Sequence, residues 1–260
     1  MTRIIAIASE KGGVAKTTTA ISLGGALVEM GQEVLMIDLD PQASLTLSLG
    51  IAPHTVRRSI SDVLINLAPP VSVSRETSIP GLDLLPSNFD MGLAERFLPI
   101  RKNYRHILKD ALQDIHLYDT IILDCPPSLG AVTSNALVAA HTLVIPTHPE
   151  YLSVYSLRNV LRVVRSIRTQ ENPNLSYRIL ITMVDQRIGS HQTLSNQLRA
   201  TFKSAIFETE IQVDTRLRDS TIAGLPVTHF AKSTRSAEQY RALAQELPQY
   251  VRSEKVEQAA

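Results

Sequence analysis

Residues 3–18, Arg3-Ile-Ile-Ala-Ile-Ala-Ser-Glu-Lys-Gly-Gly-Val-Ala-Lys-Thr-Thr18, constrain the fold of this chain more than any other stretch. Residues 4–8 form an apolar run rich in β-branched side chains and read as a buried strand. The run enters a glycine pair, and Lys16-Thr17-Thr18 then opens a helical pattern that continues through Ile21, Leu23, Leu27 and Val28 to a stop at Gly31. Strand, tight loop and helix in this order make a nest of backbone N–H groups at a positive helix end, which is a seat for phosphate.

The residue types at the turn fit that chemistry. Gly12 and Gly13 let the backbone turn tightly and aim successive N–H groups at one point. Lys16 would reach β- and γ-phosphates, and the Thr17 hydroxyl would ligate Mg²⁺, which makes ATP with Mg²⁺ the expected ligand. Glu10 and Ala15 stand where the pattern G-x-x-x-x-G-K-[ST] has its two glycines. Ala15 adds a methyl beside the phosphates and leaves every donor in place.

Downstream, residues 33–38 and 119–124 read as parallel strands buried on both faces, because their hydrophobicity is continuous instead of alternating. Further strands are expected over 81–86, 141–146 and 177–184, with a short strand-like run over 205–211. Helices are expected near 59–67, 104–116, 135–140, 151–170, 192–202 and 236–251, the last interrupted at Pro248, with a frayed polar tail over 251–260. Strands alternating with helices imply a doubly wound, mostly parallel α/β sheet. The 260 residues, with no repeat and no linker-like composition, read as one domain over 1–260.

Composition narrows the function classes. Charge is balanced, 26 Lys and Arg against 25 Asp and Glu, so no global field favours nucleic acid or membrane. The single cysteine, Cys125, excludes an intrachain disulfide and any cysteine metal cluster built by one subunit. Neither a secretory signal nor an apolar run of about 18 residues is present, and a cytoplasmic protein is the expectation.

A nucleotide site in such a sheet draws its groups from the carboxyl ends of several strands. Asp38-Leu39-Asp40-Pro41 ends one buried strand, and Asp124-Cys125-Pro126-Pro127 ends another. Asp124 is the candidate Walker B acid, holding Mg²⁺ directly or through water.

Lys11-Gly-Gly-Val-Ala-Lys-Thr-Thr18 resembles the deviant Walker A box of the ParA/MinD ATPases, in which a second, signature lysine precedes the glycines. Residues 37–42 look like the Walker A′ segment of ParA proteins and residues 119–127 like their Walker B segment. The resemblance implies phosphate contacts from Lys11, Gly12, Gly13, Val14, Ala15, Lys16, Thr17 and Thr18, and metal contacts from Thr17, Asp38 and Asp124. It implies that Asp38 supports Lys16 and the metal's water shell while Asp40 orients the attacking water. It further implies that Lys11 reaches the partner's nucleotide, so that ATP joins two copies into a homodimer. Thr182-Met183-Val184-Asp185 lacks the lysine of a guanine-reading motif, and adenine is expected near Gln212 and Asp214, although Gln212 replaces the family's usual proline.

Charge is unevenly spread. Between Arg158 and Arg235 there are 12 Lys and Arg against 6 Asp and Glu, an electrostatic footprint suited to a polyanion. Arg187, Arg216 and Arg218 fall where small, Soj-like ParA proteins carry DNA-contacting residues, and Lys232 and Arg235 complete the candidate set. No helix-turn-helix precedes the phosphate loop, so contact with nucleoid DNA is expected to be non-specific and salt-sensitive. The resemblance implies a partition ATPase whose hydrolysis is stimulated by a ParB-like or other adaptor on a plasmid, chromosome or carboxysome-type cargo. A MinD-like membrane regulator is the alternative, and it wants a C-terminal helix with bulky apolar residues facing lysines. Residues 236–251 mix Leu and Tyr with small residues instead. A nitrogenase-reductase-like protein would need paired cysteines, and a ligase of this fold would need a further substrate pocket.

Overall fold

The computed structural model describes residues 2–257, with side chains placed through residue 248. In chain order the elements are β1 (Arg3–Ile7), α1 (Lys16–Glu29), β2 (Val34–Asp38), α2 (Ser44–Ser48), α3 (Ile60–Asn66), β3 (Arg75–Glu76), β4 (Leu82–Leu85) and α4 (Met91–Phe97). They continue with α5 (Ile107–Leu112), β5 (Thr120–Asp124), α6 (Ala131–Ala139), β6 (Thr142–Thr147), α7 (Tyr151–Gln170) and β7 (Ser176–Ile181). The last are α8 (Gly189–Phe202), α9 (Arg216–Ile222), α10 (Val227–Phe230) and α11 (Arg235–Glu257).

The seven strands lie in the order β3-β4-β2-β5-β1-β6-β7. All neighbours pair in parallel except β3, a two-residue antiparallel edge on β4. Successive side chains of a strand point to opposite faces, so a strand buried on both faces must be apolar at every position. In β1, Ile4 and Ala6 join a core beneath α3 to α8, while Ile5 and Ile7 join a second core beneath α1 and α11. The same division splits Leu35 and Ile37 from Val34 and Met36 in β2.

Register positions the site. Ile7 and Asp38 are both aligned with Asp124, so the ends of β1, β2 and β5 reach one level. From β1 the chain crosses to β2 on one side, whereas β6 lies on the other side of β1. The carboxyl end of β1 therefore sits at the topological switch point, where such sheets open a crevice.

Three expectations are corrected. Residues 205–211 do not form a strand: only isolated bridges join Ile206 to Ile179 and Gln212 to Val184. The N–H groups of Glu208 and Thr209 donate instead to the Glu246 carboxylate of α11, at 2.6 and 3.1 Å, and the carbonyls of Phe207 and Glu208 accept from Arg199. With those groups already satisfied, the segment has no need of a full ladder on β7. The helix expected over 104–116 is a 3-10 turn followed by α5, which ends at Leu112 so that Ile115 can turn into the core. Finally, α11 continues through Pro248, whose fixed φ is compatible with a helix although its ring removes one N–H donor. The frayed tail expected over 251–260 lies outside the residues whose side chains are described, and 258–260 outside the described residues altogether. Among the described residues no helix is long and apolar enough to cross a membrane.

Candidate functional site

The phosphate loop runs from the end of β1 into α1. Gly13 takes φ +73°, and nothing lies within 4 Å of where a Cβ would stand at Gly12 or Gly13, which leaves an open cradle. Ala15, immediately before α1, also lies in the left-handed region, with φ 64°. A side chain there costs on the order of 1 kcal/mol against glycine, and the loop is tied down to hold it. The Thr182 hydroxyl donates to the Val14 carbonyl at 3.0 Å, and Asn159 of α7 donates to the Glu10 carboxylate at 2.8 Å. No side chain caps α1, and its first turn carries no acid, so its N-terminal donors face the crevice free for an anion.

Lys16 is buried, and its ammonium donates to the Lys11 carbonyl at 3.3 Å. Burial lowers its pKa, an effect opposed by the nearby Asp124 and Asp40 carboxylates. The Thr17 hydroxyl donates to Asp124 Oδ2 at 2.7 Å. The other oxygen, Asp124 Oδ1, is buried with no hydrogen-bond partner. Burial first, and then the neighbouring Asp38, push the Asp124 carboxyl well above the usual carboxylate range. A buried carboxylate oxygen without a donor is costly in a bare protein, and a cation beside the Thr17 hydroxyl would satisfy it.

Asp38 is placed differently from its expected role. Its Oδ1 accepts the Asp40 N–H at 3.1 Å, and its Oδ2 accepts both the N–H and the hydroxyl of Thr46, at 2.8 and 2.7 Å. The carboxylate thus anchors α2 and the 39–46 loop, while Asp124 and Asp40 are the acids that act on Lys16. Complete burial raises the Asp38 pKa to about 6, against the opposing pull of Thr46 and the Asp40 N–H. Thr46, which no motif marks, is therefore a site residue that sequence reasoning missed. Its only sequence signal is a hydroxyl on the buried side of α2.

A cleft of about 650 Å³ opens above these groups. Gly12, Gly13, Ala15, Lys16, Thr17, Thr18, Asp40 and Pro127 line one end; Met183, Gln212, Asp214, Leu217 and Ile222 are among the residues lining the other. Val14 is buried beneath the loop and serves as an anchor, and Lys11 is exposed at its rim. Gln212 is held by its N–H to the Gln239 side chain at 3.1 Å, and Asp214 accepts from Ser236 at 2.8 Å and from the Arg216 N–H at 2.9 Å.

The candidate DNA residues divide. Val184 and Val213 exchange backbone bonds with the opposite segment, which brings the 185–188 loop beside the 211–218 loop. Arg235 joins them by donating to the Val213 carbonyl at 2.9 Å. Arg187, Arg216, Arg218 and Arg235 are all exposed around this junction. Two are paired with their own neighbours: Arg187 grips Asp185 at 2.6 Å, and Arg216 meets Asp219 at 3.4 Å. His191 accepts the Asp185 N–H at 3.1 Å, and its ring meets that of His148 edge to face at 5.0 Å, clasping the 185–188 loop to the end of β6. Lys232 is also exposed; its carbonyl accepts from Arg241, which pairs with Glu29 at the end of α1.

A protein-family profile described as an AAA domain matches residues 2–177. The chromosome partitioning protein ParA of Caulobacter vibrioides is 36% identical over 251 residues, covering 94% of this chain and 93% of its own length. The sporulation initiation inhibitor protein Soj of Bacillus subtilis is 35% identical, covering 95% and 98%. Among solved structures, a Mycobacterium smegmatis protein described as cobyrinic acid a,c-diamide synthase, with bound ATP analog and magnesium, superposes with a TM-score of 0.87 at 33% identity, covering 97% of this chain and 96% of that one. With the switch-point crevice, the two-lysine phosphate loop and Asp124 behind Thr17, these likenesses make this chain a member of the ParA/MinD family of P-loop ATPases.

Proposed function

We propose that the chain, acting as one unit, is a partition-type ATPase that binds Mg-ATP, pairs with a second copy when loaded, and holds non-specific DNA. The observation that carries this reading is the convergence of Lys16, Thr17 and the unpartnered Asp124 Oδ1 at the uncapped end of α1. Thr17 and Asp124 would hold Mg²⁺, which when bound neutralises charge on the phosphate oxygens. The backbone from Gly12 to Thr18 would cradle the phosphates, and Lys16 would exchange the Lys11 carbonyl for a phosphate oxygen. Asp40 lines the cleft with Oδ1 fixed by the Gln42 N–H at 2.8 Å, which suits it to orient a water for attack. Positioning and fixed charge supply most of the rate in such a transfer, so no side chain need act as a strong base. The apolar wall of Met183, Ile211 and Leu217 fits an adenine ring near Gln212 and Asp214.

The dimer is supported by what surrounds Lys11. Tyr151, Tyr155 and Asn159 form one row on α7, which ends at the Asn159 bond to Glu10. Tyr151 and Tyr155 are 72% and 56% exposed, with rings 6.5 Å apart, and Leu152 beside them is 64% exposed. A second copy seated on this apolar row would bring its own Lys11 toward the cleft. The junction of Arg187, Arg216, Arg218 and Arg235 is the proposed surface for DNA phosphates, in the cytoplasm on the nucleoid. An adaptor protein on the cargo would then stimulate hydrolysis and release.

Titration of a fluorescent ATP analogue with Mg²⁺ tests the site. Lys16→Ala is expected to weaken binding by about a hundredfold or more, the loss of a charge-assisted contact at a dry site. Retained tight binding by a folded Lys16→Ala protein would remove the assignment.

A further inference from the structure

Residues 88–100 form a nearly continuous helical rod. The Asn88 and Phe89 carbonyls accept from Met91 and Gly92, α4 follows, and a 3-10 turn over Leu98–Ile100 extends it. Its inner side is conventional: Met91, Ala94 and Leu98 are buried in the core. Its outer side is also apolar. Phe89, Leu93, Phe97 and Ile100 recur at spacings of four, four and three and are 78%, 44%, 50% and 77% exposed. One helical stripe of four large apolar side chains therefore faces solvent, next to a groove of about 180 Å³ lined by Leu64, Ile65, Phe97, Leu98, Ile100 and Arg101.

Charge around the stripe is mostly of one sign. Arg57 and Arg58 are exposed beside Val56, whose carbonyl accepts from Asn88 at 3.3 Å, so they stand at the Phe89 end. Arg96 is exposed along the rod, and Arg101 and Lys102 at its far end. Of the acids on the rod, Asp90 is exposed, and Glu95 is turned inward and fully engaged. An apolar stripe with basic ends fits an amphipathic helix laid along it, apolar on one side and acidic at its ends.

The rod also touches the catalytic end of the sheet. Glu95 caps α6, its two oxygens accepting the Ala131 and Val132 N–H groups at 2.7 and 3.0 Å. Gly130 lies so close that an added Cβ would stand 1.7 Å from Glu95 Oε1. The loop between Asp124 and α6, including Pro127 at the cleft, is thus clamped to the rod.

We propose that the Phe89–Leu93–Phe97–Ile100 stripe is a docking surface for an amphipathic helical segment with acidic flanks on a partner protein, and that Glu95 relays its seating to the loop after Asp124. The docking does not depend on hydrolysis; the relay rests on the ATPase reading.

Fluorescence anisotropy with the full chain and no nucleotide tests the docking, using helical peptides of about 16 residues with leucines at i, i+4 and i+7. One peptide carries glutamates at both flanks, the other lysines. The acidic peptide is expected to saturate, with the lysine peptide at least about tenfold weaker. Phe97→Ser with Ile100→Ser should cost at least about tenfold. Arg57→Glu with Lys102→Glu, exposed changes at the two ends of the rod that do not line the groove, should reverse the flank preference. Failure of the acidic peptide to saturate, equal affinity for both, or indifference to Phe97→Ser would overturn the proposal. So would phosphatidylglycerol vesicle binding or self-association that Phe97→Ser abolishes, since these assign the stripe to a membrane or a second copy. Glu95→Gln, which replaces one acceptor by a donor at the α6 cap, should leave peptide affinity intact and remove the peptide's effect on ATP turnover. An unchanged effect would overturn the relay. Binding without any turnover in the wild-type chain would count against the ATPase reading and leave the docking surface standing.

Discussion

At the carboxyl end of β1 the charged groups are buried and each is held by the backbone or by a hydroxyl: Lys16 by a carbonyl, Asp124 by Thr17, Asp38 by Thr46 and Asp40. Around α9 the charged groups are exposed and satisfy one another within a few residues, Arg187 with Asp185 and Arg216 with Asp219. Burial makes the first set expensive, so its geometry is fixed and its function is specific. Solvent makes the second set cheap, so its pairs can open to a phosphate backbone at small cost. On the proposed reading, one region recognises a single ligand in one pose, and the other holds a repeating charge in many registers.

The comparison breaks most visibly at Asp124. Asp124→Asn leaves the Thr17 partner in place but removes the charge opposite the proposed cation, and Mg²⁺-dependent nucleotide affinity is expected to fall by about a hundredfold. Calorimetry with and without Mg²⁺ checks this, and a loss equal in both conditions would dissociate Asp124 from the metal.

Asp38 gives the next largest effect. Its folded pKa, about 6, lies above its ordinary value of 3.8 because burial disfavours the charge. Between those pH values the folded state binds the extra proton, so this group's contribution to stability falls as pH rises from 3.8 to about 6 and is flat above. The change is on the order of 3 kcal/mol. Urea denaturation at pH 4, 5, 6 and 7 should show this slope in the wild type and a shallower one in Asp38→Asn. Parallel slopes would mean that Asp38 titrates normally.

On the basic edge, Arg187→Ala with Arg216→Ala should weaken binding to duplex DNA of arbitrary sequence by about tenfold at moderate salt and reduce the salt slope by about 2. Dimerisation should be unchanged. Asp185→Asn sharpens the contrast with the smallest effect: freeing Arg187 should raise DNA affinity by about twofold to threefold. No change would mean that the Asp185 pair already opens without cost.

The buried region was legible in the sequence and the exposed one only in part, for the same reason. A strand buried on both faces has to be continuously apolar, a phosphate loop needs its glycines and lysines in register, and an acid at the end of such a strand is rare enough to stand out. The bond between Asp38 and Thr46 joins residues eight apart through a loop, and the Glu95 cap on α6 joins residues about 36 apart, so no local pattern carries either. Residues 88–100 escaped the reading because apolar side chains occupy both sides of the rod and leave no single stripe for periodicity to find. Lys232 shows the limit for exposed charge: it shares a stretch with Arg235, yet Arg235 donates to the Val213 carbonyl whereas Lys232 is held through its own carbonyl by Arg241.

The account turns on Lys11, an exposed lysine next to Gly12 of the cleft lining, which the proposal directs to the nucleotide of a second copy. Sedimentation velocity with saturating Mg-ATP, performed on Asp40→Ala to slow turnover, measures its role directly. A dimer that returns to monomer when Lys11→Ala is added is the predicted result. A monomer with Lys11 intact, or a dimer indifferent to its loss, would contradict the account.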